Sequence, residues 1–195
     1  MKGCRALTRN EIRNLVTIKD ISARDKALFT LQLNTGCRVG EILSLQLKDV
    51  CSKFGVVYGS FELKARHTKT RHGGSITINS TAKKVLQQHC KKLIASGFKM
   101  TDSLFPSRQG RYGKTITRQR ASQIYKTLFE LAGIAGGKLN THSMRKTFIG
   151  QIYGKTKDIL LCKTLLRHAN IASTFSYLES AMITVRQAVL DLNFS

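Results

Sequence analysis

The sequence predicts a mainly α-helical domain with one small antiparallel β-sheet, an α+β fold. Apolar residues recur at helical spacing along most of the 195 residues. Residues 56–79 differ, because β-branched and aromatic residues are concentrated there and apolar and polar positions alternate. The chain has one proline, no internal repeat and no low-complexity linker, so we expect no boundary that divides it into two domains.

The first three helices are predicted from the signals at their ends. Thr8 and Glu11 have the spacing of a capping box, so the first helix begins at Thr8. The second runs from a Ser22 cap to Gly36, because glycine readily ends a helix in the left-handed conformation. The third helix begins near Arg38. Its apolar side comprises Ile42, Leu43, Leu45 and Leu47.

The β-sheet is predicted from two segments whose residue composition and alternation differ from those of the predicted helices. Residues 56–63 are rich in β-branched and aromatic side chains, and Ile76 and Ile78 alternate with polar residues. The basic stretch ARHTKTRHGG separates the two segments, and its two glycines favour a hairpin tip. Helical spacing returns over residues 81–96, 117–133, 141–153 and 157–166, and in a last helix over about 180–192.

The charge balance limits the class of partner. Lys and Arg outnumber Asp and Glu by 33 to 11, which gives a formal net charge of +22. A compact domain repels itself at such a charge, so we expect a polyanion as partner: DNA, RNA or, less often, an acidic membrane. The five cysteines are scattered without CxxC spacing, which argues against a disulfide framework and a structural zinc site. No apolar run approaches the ~20 residues of a membrane span, and the N-terminus lacks the apolar stretch of a signal peptide.

Two segments place arginines at predicted helix starts. TGCRVGEILSLQLKDV puts Arg38 at such a start, with Glu41 three residues further on. A solvated arginine is the alternative interpretation of this segment. THSMRKTF puts His142 and Arg145 on one face of a helix that we expect Thr141 to cap. Free backbone N–H groups and the helix dipole at that end favour a bound phosphate.

Two further segments contain a tyrosine and a lysine. LLRHANIASTFSYL contains His168, Thr174 and Tyr177, and nine residues (177 − 168) separate the histidine from the tyrosine. Because Tyr177 stands between apolar residues, a core tyrosine is the alternative interpretation. HTKTR brings Lys69 into the predicted hairpin, and Lys64 is its rival there.

The order and spacing of these segments resemble the catalytic domain of the tyrosine recombinases, the phage integrase family. The segments match its TGxRxxE, HxxR and LGHxxxxxTxxYL motifs and its β-region lysine, and the resemblance covers about residues 5–180. Arg167 departs from the motif, which usually has glycine at this position. The resemblance implies the tyrosine recombinase catalytic-domain fold over residues 1–179, followed by a helical tail over residues 180–195. The catalytic residues that it implies are Arg38, Lys69, His142, Arg145, His168 and Tyr177.

The activity implied by the resemblance is site-specific recombination through a covalent 3′-phosphotyrosine intermediate. The planar guanidinium groups of Arg38 and Arg145 would donate paired hydrogen bonds to phosphate oxygens, and they stay charged at any working pH. Tyr177 would attack the phosphorus, His142 would take its proton, and Lys69 would protonate the departing 5′-oxygen. His168 would hydrogen-bond the phosphate. The supporting residues would be Glu41 and Thr174.

The resemblance implies that the partner is double-stranded DNA at specific sites, bound by a homotetramer. It implies no membrane partner. An accessory DNA-bending protein is a further possible partner. The chemistry requires neither ATP nor a metal, and the sequence has no P-loop and no carboxylate cluster for Mg²⁺. We expect a cytoplasmic, nucleoid-associated protein of a bacterial, phage or archaeal host. The basic residues that we expect to bind backbone phosphates are Lys64, Arg66, Arg71, Lys114, Arg118, Arg120 and Arg167.

Several alternatives remain open from the sequence. A type IB topoisomerase-like enzyme would share the chemistry but relax DNA without exchanging partners, and a DNA-binding regulator would keep the fold without catalysis. The predicted tail helix over residues 180–192 either docks onto a neighbouring subunit or folds back on its own core. Most members of the family carry an N-terminal helical domain that closes a clamp around DNA. Because the sequence begins where the catalytic half would start, an excised fragment and a naturally short member both fit.

Overall fold

A computed structural model of the chain describes residues 3–65, 73–107 and 113–178. These residues form a mainly helical domain with one antiparallel two-stranded sheet, so the predicted fold class is confirmed. The helices and strands are α1 (Arg9–Thr17), α2 (Ala23–Thr35), α3 (Val39–Leu43), α4 (Leu47–Val50), β1 (Ser60–Leu63), β2 (Gly74–Thr77), α5 (Ser80–Ala95), α6 (Arg118–Leu131), α7 (Thr141–Thr156), α8 (Ile159–Leu166) and α9 (Ala172–Leu178).

The ends of α1 and α2 have the predicted caps. The Thr8 hydroxyl accepts a bond from the Glu11 N–H at 3.2 Å, and the Glu11 carboxylate accepts one from the Thr8 N–H at 2.8 Å. Ser22 caps α2, which ends at Gly36 in the left-handed conformation with φ 63°. A Cβ at Gly36 would also meet the ring of Phe148 on α7, so glycine is needed here for conformation and for space.

The predicted third helix is wrong in its length, because the chain forms two short helices instead of one. α3 ends at Leu43, and α4 begins four residues later, at Leu47. Between them the Leu45 carbonyl accepts a bond from the Leu104 N–H at 2.9 Å, and the Leu47 N–H donates to the Asp102 carbonyl at 3.1 Å. These bonds to a distant segment replace the helical ladder, and the Asp49 carboxylate then caps the new helix.

The small sheet agrees with the predicted alternation. β1 pairs with β2 in antiparallel register, with Phe61 opposite Ile76 and Leu63 opposite Gly74. Phe61, Leu63 and Ile76 are buried, so one face of the sheet covers the core. The predicted lysine, Lys69, falls between the two strands, outside the described residues.

Buried apolar side chains form two clusters. The main cluster includes residues of α1 to α6 and of both strands, whereas the C-terminal cluster consists of Ile149, Cys162, Leu166 and Leu178. α7 belongs to both, because Met144 packs in the main cluster and Ile149 in the C-terminal one. The N-terminal half of α7 therefore lies where the two clusters meet.

Candidate active site

Arg145 lies at the centre of the candidate site and is fully buried. Its Nη1 donates to the Gly36 carbonyl at the end of α2, and its Nη2 donates to the Leu166 carbonyl at the end of α8, both at 2.5 Å. Burial, and then the neighbouring charge of Arg38, lowers the pKa of this guanidinium to about 10. The side chain still carries its charge near neutral pH and links the ends of α2 and α8 through their backbone carbonyls.

The structure brings His168 against Arg145. Nη2 of Arg145 lies 3.2 Å from Nε2 of His168, and the Thr174 hydroxyl lies 3.1 Å from Nδ1. Because a guanidinium can only donate, Nε2 must accept, and the ring proton belongs on Nδ1, where it is donated to Thr174. Burial, followed by the charges of Arg145 and Arg38, lowers the pKa of His168 to about 4, so the ring is neutral.

Tyr177 lies beside His142, with its hydroxyl oxygen 3.3 Å from Nδ1 of the histidine. Its ring centroid lies 5.4 Å from that of His168 and 6.0 Å from Cζ of Arg145. Burial, and then the charge of Arg145, lowers the pKa of His142. The neutral imidazole that this favours can accept a proton from the phenol.

The helix that presents His142 begins one residue earlier than predicted. Asn140, not Thr141, is the cap of α7, and its side chain accepts a bond from the His142 N–H at 2.8 Å. Thr141 is instead the first residue of the helix and is buried. Both residue types cap helices well, so the composition of this segment did not distinguish the two positions.

Arg38 is placed by Glu41, which is 2% exposed. One carboxylate oxygen accepts a bond from Nη1 of Arg38 at 3.0 Å, and the other accepts one from the Arg38 backbone N–H at 2.7 Å. The Arg38 side chain remains 22% exposed, so part of its guanidinium faces solvent. The supporting role predicted for Glu41 is consistent with this geometry.

Arg167 contacts the same carboxylate. Its Nη2 donates to Glu41 at 2.7 Å, and its side chain is 10% exposed. The residue ends α8 in the left-handed conformation with φ 52°. Its DNA contact therefore stays a prediction, and the structure gives the guanidinium an internal partner.

Lys146 was missed by the sequence analysis. Its Nζ lies 5.8 Å from the ring centroid of Tyr177. The sequence spacing could have indicated this residue, because Lys146 follows His142 by four residues and therefore lies on the same face of α7.

Of the other basic residues predicted to bind DNA, those in the described part of the chain are exposed to solvent. Arg66 and Arg71 lie outside the described residues, as does the helix predicted over residues 180–192. Lys64 is exposed, with its Nζ 3.9 Å from a carboxylate oxygen of Asp49. The remaining three are exposed: Lys114, and Arg118 and Arg120 at the start of α6. Among the helices described, none is long and apolar enough to span a bilayer.

Comparisons with known proteins identify the family to which the sequence is similar. The sequence profile of the phage integrase family matches residues 5–183. A protein of Bacillus subtilis described as the probable integrase/recombinase YoeC is 31% identical over 185 residues, covering 91% of this chain and 93% of that protein. The tyrosine recombinase XerD of Oceanobacillus iheyensis is 30% identical over 177 residues. That match covers 88% of this chain but 56% of XerD, so the chain spans about half of this relative.

Solved structures share the fold of this chain. The XerH site-specific recombinase bound to its palindromic difH substrate in a post-cleavage complex superposes with a TM-score of 0.75 at 20% identity, over 97% of this chain and 54% of XerH. The XerA recombinase gives the same score and identity over 64% of its own length. With the family profile matching nearly the whole sequence, the chain belongs to the phage integrase family of tyrosine recombinases.

Proposed function

We propose that this protein is a site-specific DNA recombinase that cleaves and rejoins DNA through a covalent 3′-phosphotyrosine at Tyr177. One observation carries the proposal: the Tyr177 hydroxyl lies 3.3 Å from Nδ1 of His142, and the Tyr177 ring centroid lies 6.0 Å from Cζ of Arg145. A nucleophile, a proton acceptor and fixed positive charge are the parts that phosphoryl transfer needs. Family membership supports the same assignment.

Binding of the scissile phosphate is the first step. Arg38 supplies the partly exposed guanidinium, and Arg145 supplies a second positive charge from within the protein. Nε of Arg145 has no hydrogen-bond partner within the described residues, which leaves a donor directed neither at Gly36 nor at Leu166. Two fixed cations would offset the charge that builds on the non-bridging oxygens in the transition state.

Cleavage follows by in-line attack of the Tyr177 oxygen on phosphorus. The phenol proton passes to Nδ1 of His142, which is free to accept it because its pKa is lowered. The bond between phosphorus and the 5′-oxygen breaks, and Lys69 gives that oxygen a proton. The 3′-phosphotyrosine keeps the energy of the broken linkage, so a 5′-hydroxyl of a second DNA strand can reverse the attack.

Double-stranded DNA is the substrate that the charge of +22 favours. The neighbours XerH and the Tn1549 transposon integrase have been solved with DNA bound. We assign residues 1–179 to the catalytic domain. On this proposal the exposed basic residues bind backbone phosphates, and a homotetramer assembles on the DNA, with residues 180–195 exchanged between subunits. The basic residues proposed for these phosphate contacts are Lys64, Lys114, Arg118 and Arg120.

Covalent trapping tests the proposal. The protein is incubated with nicked suicide duplexes whose sequence is randomised beside the nick, and SDS-stable adducts are recovered and sequenced. We expect an adduct that disappears in Tyr177→Phe and persists in the matched control Tyr153→Phe, which changes a half-buried tyrosine of α7. Salt-sensitive DNA binding without an adduct would favour a non-catalytic regulator. Adducts that relax supercoils but never join two labelled duplexes would favour the topoisomerase-like alternative.

A further inference from the structure

We propose that Arg167 is a positioning residue of this site: because it shares the Glu41 carboxylate with Arg38, more of the positive charge of Arg38 is left to act on the scissile phosphate. The inference rests on the proposed function for its catalytic consequence. Its structural basis is the chain of contacts from Arg167 through the Glu41 carboxylate to Arg38, with donor–acceptor distances of 2.7 and 3.0 Å.

The position of Arg167 is unfavourable for any residue with a side chain. A non-glycine residue at φ 52° costs about 1 kcal/mol relative to glycine. The guanidinium is also withdrawn from water, and its Nε has no hydrogen-bond partner within the described ranges. The bond to Glu41 is the contact that can offset these two costs, because a charge-assisted bond between buried groups is among the strongest in proteins.

Glu41 has one negative charge to share between two guanidinium groups. One oxygen accepts from Arg38 alone, and the other accepts from Arg167 and from the Arg38 backbone. Without Arg167, a carboxylate that is 2% exposed would be neutralised by the Arg38 side chain alone. Arg38 would then be the one guanidinium that offsets this carboxylate, and less of its charge would act on a phosphate.

The contact also fixes two parts of the pocket relative to each other. Arg167 ends α8 and directly precedes His168, which bonds Arg145. Glu41 lies on α3, 126 residues away in sequence. The bond therefore aligns the turn that carries His168 with the helix start that carries Arg38.

The test uses Arg167→Gly, because glycine accepts the left-handed conformation while removing the guanidinium. The readout is the single-turnover rate of adduct formation at saturating protein, measured beside the protein concentration that gives half-saturation. We expect the rate to fall about ten-fold, with less than about two-fold change in half-saturation. Arg167→Lys should recover part of the rate, since an ammonium can still reach the carboxylate. Adding Glu41→Gln to Arg167→Gly should also recover part, because the carboxylate no longer competes for Arg38.

Lys157 offers a matched control. It is the other non-glycine residue with positive φ among those described, at 54°, and it ends α7 with an exposed side chain. Lys157→Gly removes a cation from a left-handed position without touching Glu41, so the cleavage rate should equal that of the wild type.

The outcomes separate this inference from the proposed function. If the wild-type protein forms no adduct, the proposed function fails. If the wild type forms one and Arg167→Gly forms it equally fast, or if only half-saturation changes, the positioning role is overturned. A double-mutant cycle of thermal midpoints for Arg167→Gly and Glu41→Gln tests the contact without cleavage. We expect the double variant to lose less stability than the two single losses together, and additive losses would overturn the pairing.

Discussion

Lowering the pH from 7.5 to 5 should cost this protein about 2 kcal/mol of unfolding free energy through His168 alone. The folded protein holds the pKa of His168 at about 4, because the ring is buried and faces Arg145 and Arg38. In the unfolded chain the pKa returns to about 6.5. The unfolded state therefore binds more protons between these two values, so the stability contributed by the neutral ring is complete above about pH 6.5 and is lost as the pH falls towards 4.

The magnitude follows from the two pKa values. At pH 5 the unfolded imidazole is almost fully protonated and the folded one is about one-tenth protonated, and the ratio of their binding polynomials is about 30. That ratio corresponds to about 2 kcal/mol. His142 and His89 also have lowered pKa values, so their titration adds to the loss in the same direction. A variant is needed to isolate the part that belongs to His168.

The assay is urea unfolding followed by far-UV circular dichroism at pH 7.5 and at pH 5. His168→Gln removes the titrating group, so its stability should fall between the two pH values by about 2 kcal/mol less than that of the wild type. Thr174→Ser keeps the hydroxyl that faces Nδ1 and should retain the full wild-type loss. An equal loss in the wild type and in His168→Gln would refute the reasoning, because the histidine would then titrate alike in both states.

Substitutions at four further positions test the contacts around the site, a second left-handed glycine and the cap of the first helix. Arg145→Lys should destabilise the protein by about 2–4 kcal/mol in urea at neutral pH, because an ammonium cannot bond both carbonyls that the guanidinium joins. Gly36→Ala should cost about 2 kcal/mol, since its Cβ would be strained and would meet the Phe148 ring. Gly133→Ala, with a similar φ but open space around the Cβ, should cost only about 1 kcal/mol. Thr8→Ala should cost about 1 kcal/mol through loss of the cap on α1, whereas Thr8→Ser should be nearly neutral.

Features that depend on neighbouring residues in the chain were predictable. The caps at Thr8 and Ser22 and the helix end at Gly36 follow from backbone chemistry within a few residues. Pairing of the two strands follows from their alternation and from the turn residues between them. Four of the predicted catalytic residues were also brought together, in a group that has Arg145 at its centre. They are Arg38, His142, His168 and Tyr177.

Features that depend on distant segments were not predictable. α3 and α4 are separate helices because the backbone that connects them forms hydrogen bonds with residues 102–104. No local sequence pattern predicts that pairing. The phosphate contact expected of Arg167 stays a prediction, but its bond to a carboxylate 126 residues away in sequence could not be predicted from neighbouring residues. The cap at Asn140 was missed for a different reason, since two good capping residues stand side by side and only the backbone decides between them.

The dual attachment of Arg145 affects how descendants of this fold would lose activity. Its bonds to the Gly36 and Leu166 carbonyls are independent of DNA, so, on the proposed function, selection for stability alone would preserve this arginine in a descendant that no longer recombined DNA. Tyr177 is constrained differently, because its ring packs against the C-terminal cluster while its hydroxyl reaches His142. Phenylalanine would keep the packing and remove the hydroxyl that we propose as the nucleophile. An inactive descendant would therefore be recognised by phenylalanine at this position beside an intact Arg145.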